Sequence, residues 1–172
     1  MTLASALRSH ATMRFMLSHP LHVLSFSFGI GLLPVMPGTA GTLLGWVSFI
    51  ILNRYLSGVQ WWVLITVSFV AGCGFTGFTA RCMGVKDPSA AVWDEVVAIW
   101  LVLLFIMPTS FSSQLSSFLI FRFFDIVKPP PIRFFEKRFS GGFSIMCDDI
   151  IAAFFTLLVI ALFKKLFIFN SS

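Results

Sequence analysis

Seven carboxylate side chains are the groups in this sequence with the greatest potential for chemistry. They are Asp87, Asp94, Glu95, Asp125, Glu136, Asp148 and Asp149, and most of them lie at the ends of apolar segments. A carboxylate at membrane depth costs roughly 2.5–3.5 kcal/mol even on lenient scales, so it usually faces a partner, a cavity or an ion. Hard divalent cations prefer oxygen ligands. The spacing is therefore compatible with a metal site built from several helices, and equally with plain salt bridges to nearby Lys and Arg.

A second group of charged residues surrounds Asp125. Arg122, Asp125 and Lys128 follow one another at three-residue intervals, which predicts that they share one face of a helix. Such a face would carry a metal-ligating Asp125 between two cations that bind phosphate. A ladder of intrahelical salt bridges at a membrane boundary is the alternative. The prolines at 129–131 then predict the end of the helix, and a basic loop that contains Arg133 follows.

Two glycine-containing segments complete the candidate chemistry. Pro37-Gly38-Thr39-Ala40-Gly41-Thr42 precedes a predicted helix, where glycine lets a ligand approach the backbone and helix N-terminal amides attract phosphate. A helix cap at Thr39 or Thr42 is the alternative. Gly141-Gly142-Phe143-Ser144-Ile145-Met146-Cys147-Asp148-Asp149 predicts a flexible entry to a helix that the paired aspartates open. Adjacent helical residues point about 100° apart, so we expect the two aspartates to have different roles.

The composition indicates how these residues are positioned. Apolar residues make up 58% of the 172 residues and charged residues only 11%, against about 25% charged in a soluble domain. Lipid must therefore cover much of the surface, and we predict an all-α, multi-pass helical membrane protein. Residues 1–20 are predicted to form an N-terminal cytoplasmic or interfacial segment, and residues 21–169 a single membrane-embedded domain.

The apolar segments predict the order of the helices. Leu21–Leu33 is short for a membrane span, so it is expected to be a broken, re-entrant or interfacial helix. Further apolar runs cover residues 43–52, 59–80, 89–107, 118–124 and 150–163, and they predict spans over residues 43–56, 59–80, 89–107, about 110–124 and 149–169. Asp94 and Glu95 would then lie about two turns inside their helix. Lys and Arg concentrate in 8–14, 81–86 and 122–138, so these loops are assigned to the cytoplasm and the uncharged 108–117 loop to the outside.

Several function classes are disfavoured by what the sequence contains. The net charge of +5 is scattered, which argues against nucleic-acid binding, and the three cysteines are dispersed like buried apolar residues. His10, His19 and His22 all precede the first full span, so a histidine nucleophile in the core is not expected. A small ion-coupled transporter is one alternative, since broken helices and intramembrane acids also mark transporters. A non-catalytic membrane subunit is another.

Four segments of the sequence, taken in order along the chain, resemble the phosphatidylglycerophosphatase A family. The resemblance covers roughly residues 20–155 and rests on Pro37-Gly38-Thr39 with Gly41, Trp93-Asp94-Glu95, Arg122 with Asp125 and Lys128-Pro129-x-Pro131-Ile132, and Gly141-Gly142 through Ile145-Met146-x-Asp148-Asp149. Ala98 and Ala153 depart from the family pattern, in which glycine is expected. Both changes are small, and they leave the carboxylates intact.

The resemblance implies a Mg²⁺-dependent phosphatase of the bacterial inner membrane with its active site on the cytoplasmic side. Its substrate would be the membrane lipid phosphatidylglycerophosphate, and its products phosphatidylglycerol and phosphate. The candidate catalytic residues are Asp94, Glu95, Asp125, Asp148 and Asp149. Among these, the candidate metal ligands are Glu95, Asp125, Asp148 and Asp149. The candidate phosphate-binding residues are Gly38, Thr39, Gly41, Arg122, Lys128 and Arg133.

Overall fold

The computed structural model describes residues 11–130 and 141–169, and every regular element in these ranges is helical. The prediction of an all-α protein is therefore confirmed for the described residues. The α-helices are α1 (Met13–Met16), α2 (Pro20–Ser25), α3 (Pro37–Leu52), α4 (Gly58–Met83), α5 (Trp93–Ile106), α6 (Phe111–Val127) and α7 (Gly142–Phe169), and a 3₁₀ segment spans Ser27–Leu32.

Helix α5 forms the centre of the molecule. It packs against α3, α4, α6 and α7, and Val97, Ile99 and Leu103 on different faces of it are fully buried. A helix that is apolar all round is expected in a core position. Its neighbours carry most of the exposed apolar surface instead, so α5 is a buried central helix that supports the residues at its N-terminus. Ala98 and Ala153 are also fully buried, as expected of packing positions.

Helix α3 lies unusually close to α5 because glycines form its contact face. A β-carbon at Gly41 would collide with Val92, and one at Gly45 would collide with Ile99. Pro37 begins the helix, a position where its missing N–H is not needed. This close approach brings the first turn of α3 next to the first turn of α5.

Two helices, Gly58–Met83 and Gly142–Leu166, are long and apolar enough to cross a membrane by length and composition. The first begins with a capping box between Ser57 and Gln60 and ends at Gly84, which has a left-handed φ of 70°. The two helices cross where Gly142 meets the backbone carbonyl of Cys73, and a β-carbon at residue 142 would overlap that oxygen. The crossing fixes the start of α7 against α4.

The N-terminal apolar segment is broken, as predicted. The helical stretch from Pro20 ends at Ser25, and Ser27, Phe28 and Gly29 all have positive φ. His22 Nδ1 lies 2.9 Å from Thr79 Oγ1, which attaches this segment to α4. The predicted boundary at residue 20 stays a prediction, and residues 1–10 lie outside the described part of the chain.

Helix α6 begins where the fourth span was expected to begin, near residue 110. It starts at Phe111, because the Ser110 side chain caps it by accepting a hydrogen bond from Ser113 N. The uncharged segment 108–117 is therefore a loop only in its first residues. Serines 112, 113, 116 and 117 therefore belong to the first two turns of α6.

Candidate active site

One cavity of about 350 Å³ collects the acidic residues of the protein. All six acids of the described residues line it, namely Asp87, Asp94, Glu95, Asp125, Asp148 and Asp149, and Glu136 lies outside the described ranges. Arg122 and Lys128 line the same cavity. Six carboxylates facing two cations leave a concentration of negative charge that is costly in a partly buried space. The arrangement therefore favours further positive charge in the cavity.

Asp94 and Glu95 lie in the first turn of α5, so the expectation that they sit two turns inside the helix is wrong. The apolar run begins at residue 89, but α5 begins at Trp93. The Ala91 N–H donates to the Pro88 carbonyl and the Val92 N–H to the Ser25 carbonyl. These bonds hold the preceding segment in a turn, so both acids lie at the start of the helix and line the cavity.

Asp148 and Asp149 lie further from the start of their helix than expected, whereas Asp94 and Glu95 lie nearer to the start of theirs. They were expected to open their helix, but α7 begins at Gly142 and places them in its second turn. The contact of Gly142 with α4 explains the early start, because tertiary packing outweighs the intrinsic flexibility of two glycines. Asp148 and Asp149 are 4% and 3% exposed, so both carboxylates are directed into the protein.

Arg122 is held by two partners on different helices. Its Nη1 lies 2.5 Å from Asp125 Oδ2 and donates at 3.3 Å to Thr42 Oγ1 of α3. The same nitrogen is 4.0 Å from Glu95 Oε1. The predicted i, i+3 pair of Arg122 and Asp125 therefore forms, and it forms beside a second carboxylate, that of Glu95, rather than as an isolated surface pair.

The spacing predicted that Lys128 would share the helix face of Arg122 and Asp125. It does not. Helix α6 ends at Val127, and Lys128 has a left-handed φ of 43°. Its ammonium group lies 2.5 Å from Asp148 Oδ2 on α7. The lysine thus bridges two helices across the cavity, because the following prolines stop the helix before residue 128 can join its face.

The start of α3 forms the wall next to Arg122. A β-carbon at Gly38 would overlap Glu95 Oε1 and touch the guanidinium of Arg122, so glycine makes room for both charged groups. Thr39 lines the cavity and its Oγ1 is buried. Gly41 lies elsewhere, against Val92 of α5. The Thr42 hydroxyl donates to the Gly38 carbonyl at 2.9 Å while it accepts from Arg122.

The acids include two overlapping groups with the geometry of metal ligands. One oxygen from each of Asp94, Asp148 and Asp149 lies within 4.8 Å of the others, and the same holds for Glu95, Asp125 and Asp149. Asp149 belongs to both groups. Asp94 Oδ1, Glu95 Oε2, Asp148 Oδ1 and Asp149 Oδ2 are buried without a hydrogen-bond partner among the described residues. Buried unsatisfied oxygens of this kind suit a hard divalent cation such as Mg²⁺.

The unsatisfied donors point to an anion in the same cavity. Thr39 Oγ1 and Arg122 Nε are buried, and neither has a partner in the part of the chain that the structure describes. A phosphate group accepts hydrogen bonds from both types of donor, and arginine binds it particularly well. The site therefore combines oxygen ligands for a cation with donors for an anion.

Comparison with known proteins agrees with this chemistry. The sequence profile of phosphatidylglycerophosphatase A matches residues 23–164. The chain belongs to this family. The matched region contains every residue that lines the cavity.

Two relatives in the family extend over nearly the whole chain. Phosphatidylglycerophosphatase A of Haemophilus influenzae is 41% identical over 145 residues, which cover 84% of this chain and 88% of the relative. The Escherichia coli protein of the same name is 35% identical over 152 residues, 88% of each chain. A Bacteroides thetaiotaomicron protein with the provisional name phosphatidylinositol-3-phosphatase is 35% identical over 140 residues, 78% of this chain and 87% of its own. No solved structure matches the chain.

Sequence reasoning missed two residues of this family member's site. Asp87 lines the cavity, although it was named only among the seven acids and not among the candidate site residues. Its place in that group of acids was the available signal. Thr42 was considered only as a cap, and its contact with Arg122 joins residues 80 positions apart, which no local pattern reveals. Arg133 lies outside the described residues.

Proposed function

We propose that the chain is a membrane-embedded, Mg²⁺-dependent phosphatase that hydrolyses phosphatidylglycerophosphate to phosphatidylglycerol and phosphate. The convergence of six carboxylates and two cations in one cavity carries the proposal. Membership in the phosphatidylglycerophosphatase A family supports the choice of substrate. A phosphomonoester needs neutralisation of its charge and a positioned nucleophile, and both requirements suit this set of side chains.

The acids would hold the metal. Asp149 would be a ligand in both groups, together with Glu95 and Asp125 in one and with Asp94 and Asp148 in the other. Bound Mg²⁺ supplies positive charge that polarises the phosphoryl group and favours ionisation of water. A carboxylate that is not occupied as a ligand accepts the proton of the attacking water.

The cations would hold the phosphate. Arg122 is oriented by Asp125 and Thr42, so its guanidinium enters the cavity already positioned and loses little freedom on binding. Lys128 is restrained by Asp148. Thr39 Oγ1 and Arg122 Nε contribute the two donors that lack partners among the described residues. A terminal phosphate monoester carries more charge than a bridging diester, so this cluster favours the monoester over phosphatidylglycerol.

A phosphate-release assay tests the proposal. Purified protein in mixed micelles is given phosphatidylglycerophosphate, phosphatidylglycerol or glycerol 3-phosphate, each with Mg²⁺ and with a chelator. We expect phosphate release from phosphatidylglycerophosphate with Mg²⁺ alone, and much slower release from glycerol 3-phosphate, which is not confined to the membrane surface. Equal cleavage of glycerol 3-phosphate would contradict a lipid substrate. Absence of release from every monoester by folded protein would contradict the enzyme.

We further propose a multi-pass arrangement in the bacterial inner membrane with the cavity at the cytoplasmic side. Arg81, Lys86, Arg122 and Lys128 lie in the segments assigned to the cytoplasm, as the positive-inside rule requires. Cysteine labelling tests this orientation after the three native cysteines are replaced. A thiol at Val85 should be protected from an impermeant reagent in intact cells, whereas a thiol at Ser112 should react. The reverse pattern would contradict the proposed orientation.

A further inference from the structure

One side of the cavity wall is acidic, and the other side includes two large apolar residues. The acids of α5 and α7 form one side, and the start of α3 and the end of α6 contribute Met36 and Ile126 to the other. Among the described lining residues, these two are the only large aliphatic side chains. They are 57% and 60% exposed. Large apolar groups at the mouth of a charged cavity are unfavourable in water and favourable against hydrocarbon.

The apolar surface continues from Ile126 along α6. Phe123 and Leu119 lie three and seven residues before it, on the same face of the helix, and are 59% and 58% exposed. A continuous apolar strip thus runs from the cavity towards the middle of α6. An acyl chain has the shape and the chemistry to lie along such a strip.

Met36 occupies a strained backbone position. It has φ 50° and ψ 53°, in the left-handed region, where a β-carbon is disfavoured and glycine is tolerated. Its side chain makes no capping hydrogen bond to α3, so helix capping does not account for it. A strained residue in the wall of a site is consistent with a function for its side chain.

We infer that Met36 and Ile126 form a portal through which the glycerol backbone and acyl chains of the substrate pass from the cavity into the bilayer. The inference rests on the proposed function, since the phosphate of the same molecule would lie at Arg122 and Lys128. The portal selects for a lipid phosphomonoester because it accommodates chains that a soluble substrate lacks. Met36 and Ile126 are therefore specificity-determining residues.

The test compares Met36→Gly and Ile126→Ser with Val67→Ser, a matched control on α4 whose side chain is 59% exposed and lies outside the cavity. The substrates are long-chain phosphatidylglycerophosphate in mixed micelles and a short-chain, monomeric form of the same lipid. Each portal variant should lower the ratio of kcat/KM for long-chain to short-chain substrate by about fivefold, through KM rather than kcat. Met36→Leu should restore the ratio, and Val67→Ser should match the wild type.

The result separates the portal from the proposed function. Met36→Gly relieves the left-handed strain, so a purely structural role predicts a stable protein with an unchanged ratio. An unchanged ratio, or equal losses on both substrates, would overturn the portal and leave the phosphatase in place. A wild-type protein that releases phosphate from neither substrate would overturn the proposed function, and the portal with it.

Discussion

The two ends of the helix bundle each contain a cavity, and the two cavities differ in chemistry as well as in size. The site cavity measures about 350 Å³ and is lined by six acids and two cations. The far cavity, between α6 and the C-terminal half of α7, is larger at about 460 Å³. It is lined by serine and threonine hydroxyls, apolar side chains and Lys164, with no acid among its described lining residues. Volume alone would select the wrong end.

The two ends differ in whether their polar groups have hydrogen-bond partners. At the far end the Ser116 and Ser117 hydroxyls donate to carbonyls one turn earlier in α6, so the hydroxyl proton of each is used within the helix. At the site end four carboxylate oxygens, one hydroxyl and one guanidinium nitrogen are buried without partners among the described residues. Unsatisfied buried groups are costly unless a ligand satisfies them. The comparison therefore assigns function to the site end.

Asp149→Asn, at the site end, should have the largest effect on turnover. Asp149 is the only residue shared by the two described ligand groups, so the amide weakens both at once. We expect turnover to fall by about 10²–10³-fold, measured as phosphate release with saturating Mg²⁺. Ser116→Ala in α6 is the control and should retain wild-type turnover. Turnover of Asp149→Asn within tenfold of wild type would be incompatible with an essential ligand.

Gly38→Ala should have the next largest effect. The added methyl group would overlap the Glu95 carboxylate and crowd the Arg122 guanidinium, so the arrangement of these two charged groups must change. We expect kcat/KM to fall by about 30-fold, the equivalent of roughly 2 kcal/mol. Gly58→Ala is the matched control at the far end, because Gly58 also lies in the first turn of a helix and has nothing within 4 Å of an added β-carbon. Equal activity of the two variants would show that the tight packing at Gly38 is not required.

Arg122→Lys tests the geometry of the phosphate site while keeping its charge. Arg122 contacts both Asp125 and Thr42 through Nη1, which leaves the other guanidinium nitrogens for phosphate, and lysine has only one nitrogen for all of these contacts. We expect kcat/KM to fall by about tenfold, or roughly 1.4 kcal/mol. Lys164→Arg at the far end should leave kcat/KM unchanged. If Arg122→Lys behaved like wild type, Arg122 would act only as a point charge.

Thr42→Val should have the smallest effect. It removes the hydroxyl that positions Arg122 but preserves the shape of the side chain. One lost hydrogen bond is worth about 1 kcal/mol, so we expect a decrease in kcat/KM of about fivefold. Thr42→Ser keeps the hydroxyl and should recover most of the activity. If serine and valine were equally impaired, the packing of the methyl group would matter rather than the bond to Arg122.

The site was more predictable from sequence than the helix boundaries that build it. Acids at a common membrane depth predicted that residues from α5, α6 and α7 would meet, because few arrangements keep such groups out of lipid. The starts of α5 and α7 were wrong in opposite directions. In both cases a contact between distant segments decides the boundary: the Val92 N–H bonds to the Ser25 carbonyl, and Gly142 packs on Cys73. Local propensity contains no information about either contact.

The far cavity could not have been predicted for a related reason. It lies between the serines of α6 and the C-terminal half of α7, and no local pattern places Lys164 near those serines. Residue spacing also could not predict the partner of Lys128. Its left-handed backbone turns it away from the face of α6 and towards Asp148 on α7.

Binding of Mn²⁺ to the purified protein, followed by electron paramagnetic resonance, tests the central claim most directly. Mn²⁺ favours the same oxygen ligands as Mg²⁺ and is visible without turnover. We expect the wild type and Lys164→Ala to bind Mn²⁺ equally, with Mg²⁺ competing for the ion, and Asp149→Asn to lose this binding. Equal Mn²⁺ binding by the wild type and Asp149→Asn, or no binding by the folded wild type, would contradict a metal centre at the acidic end of the bundle.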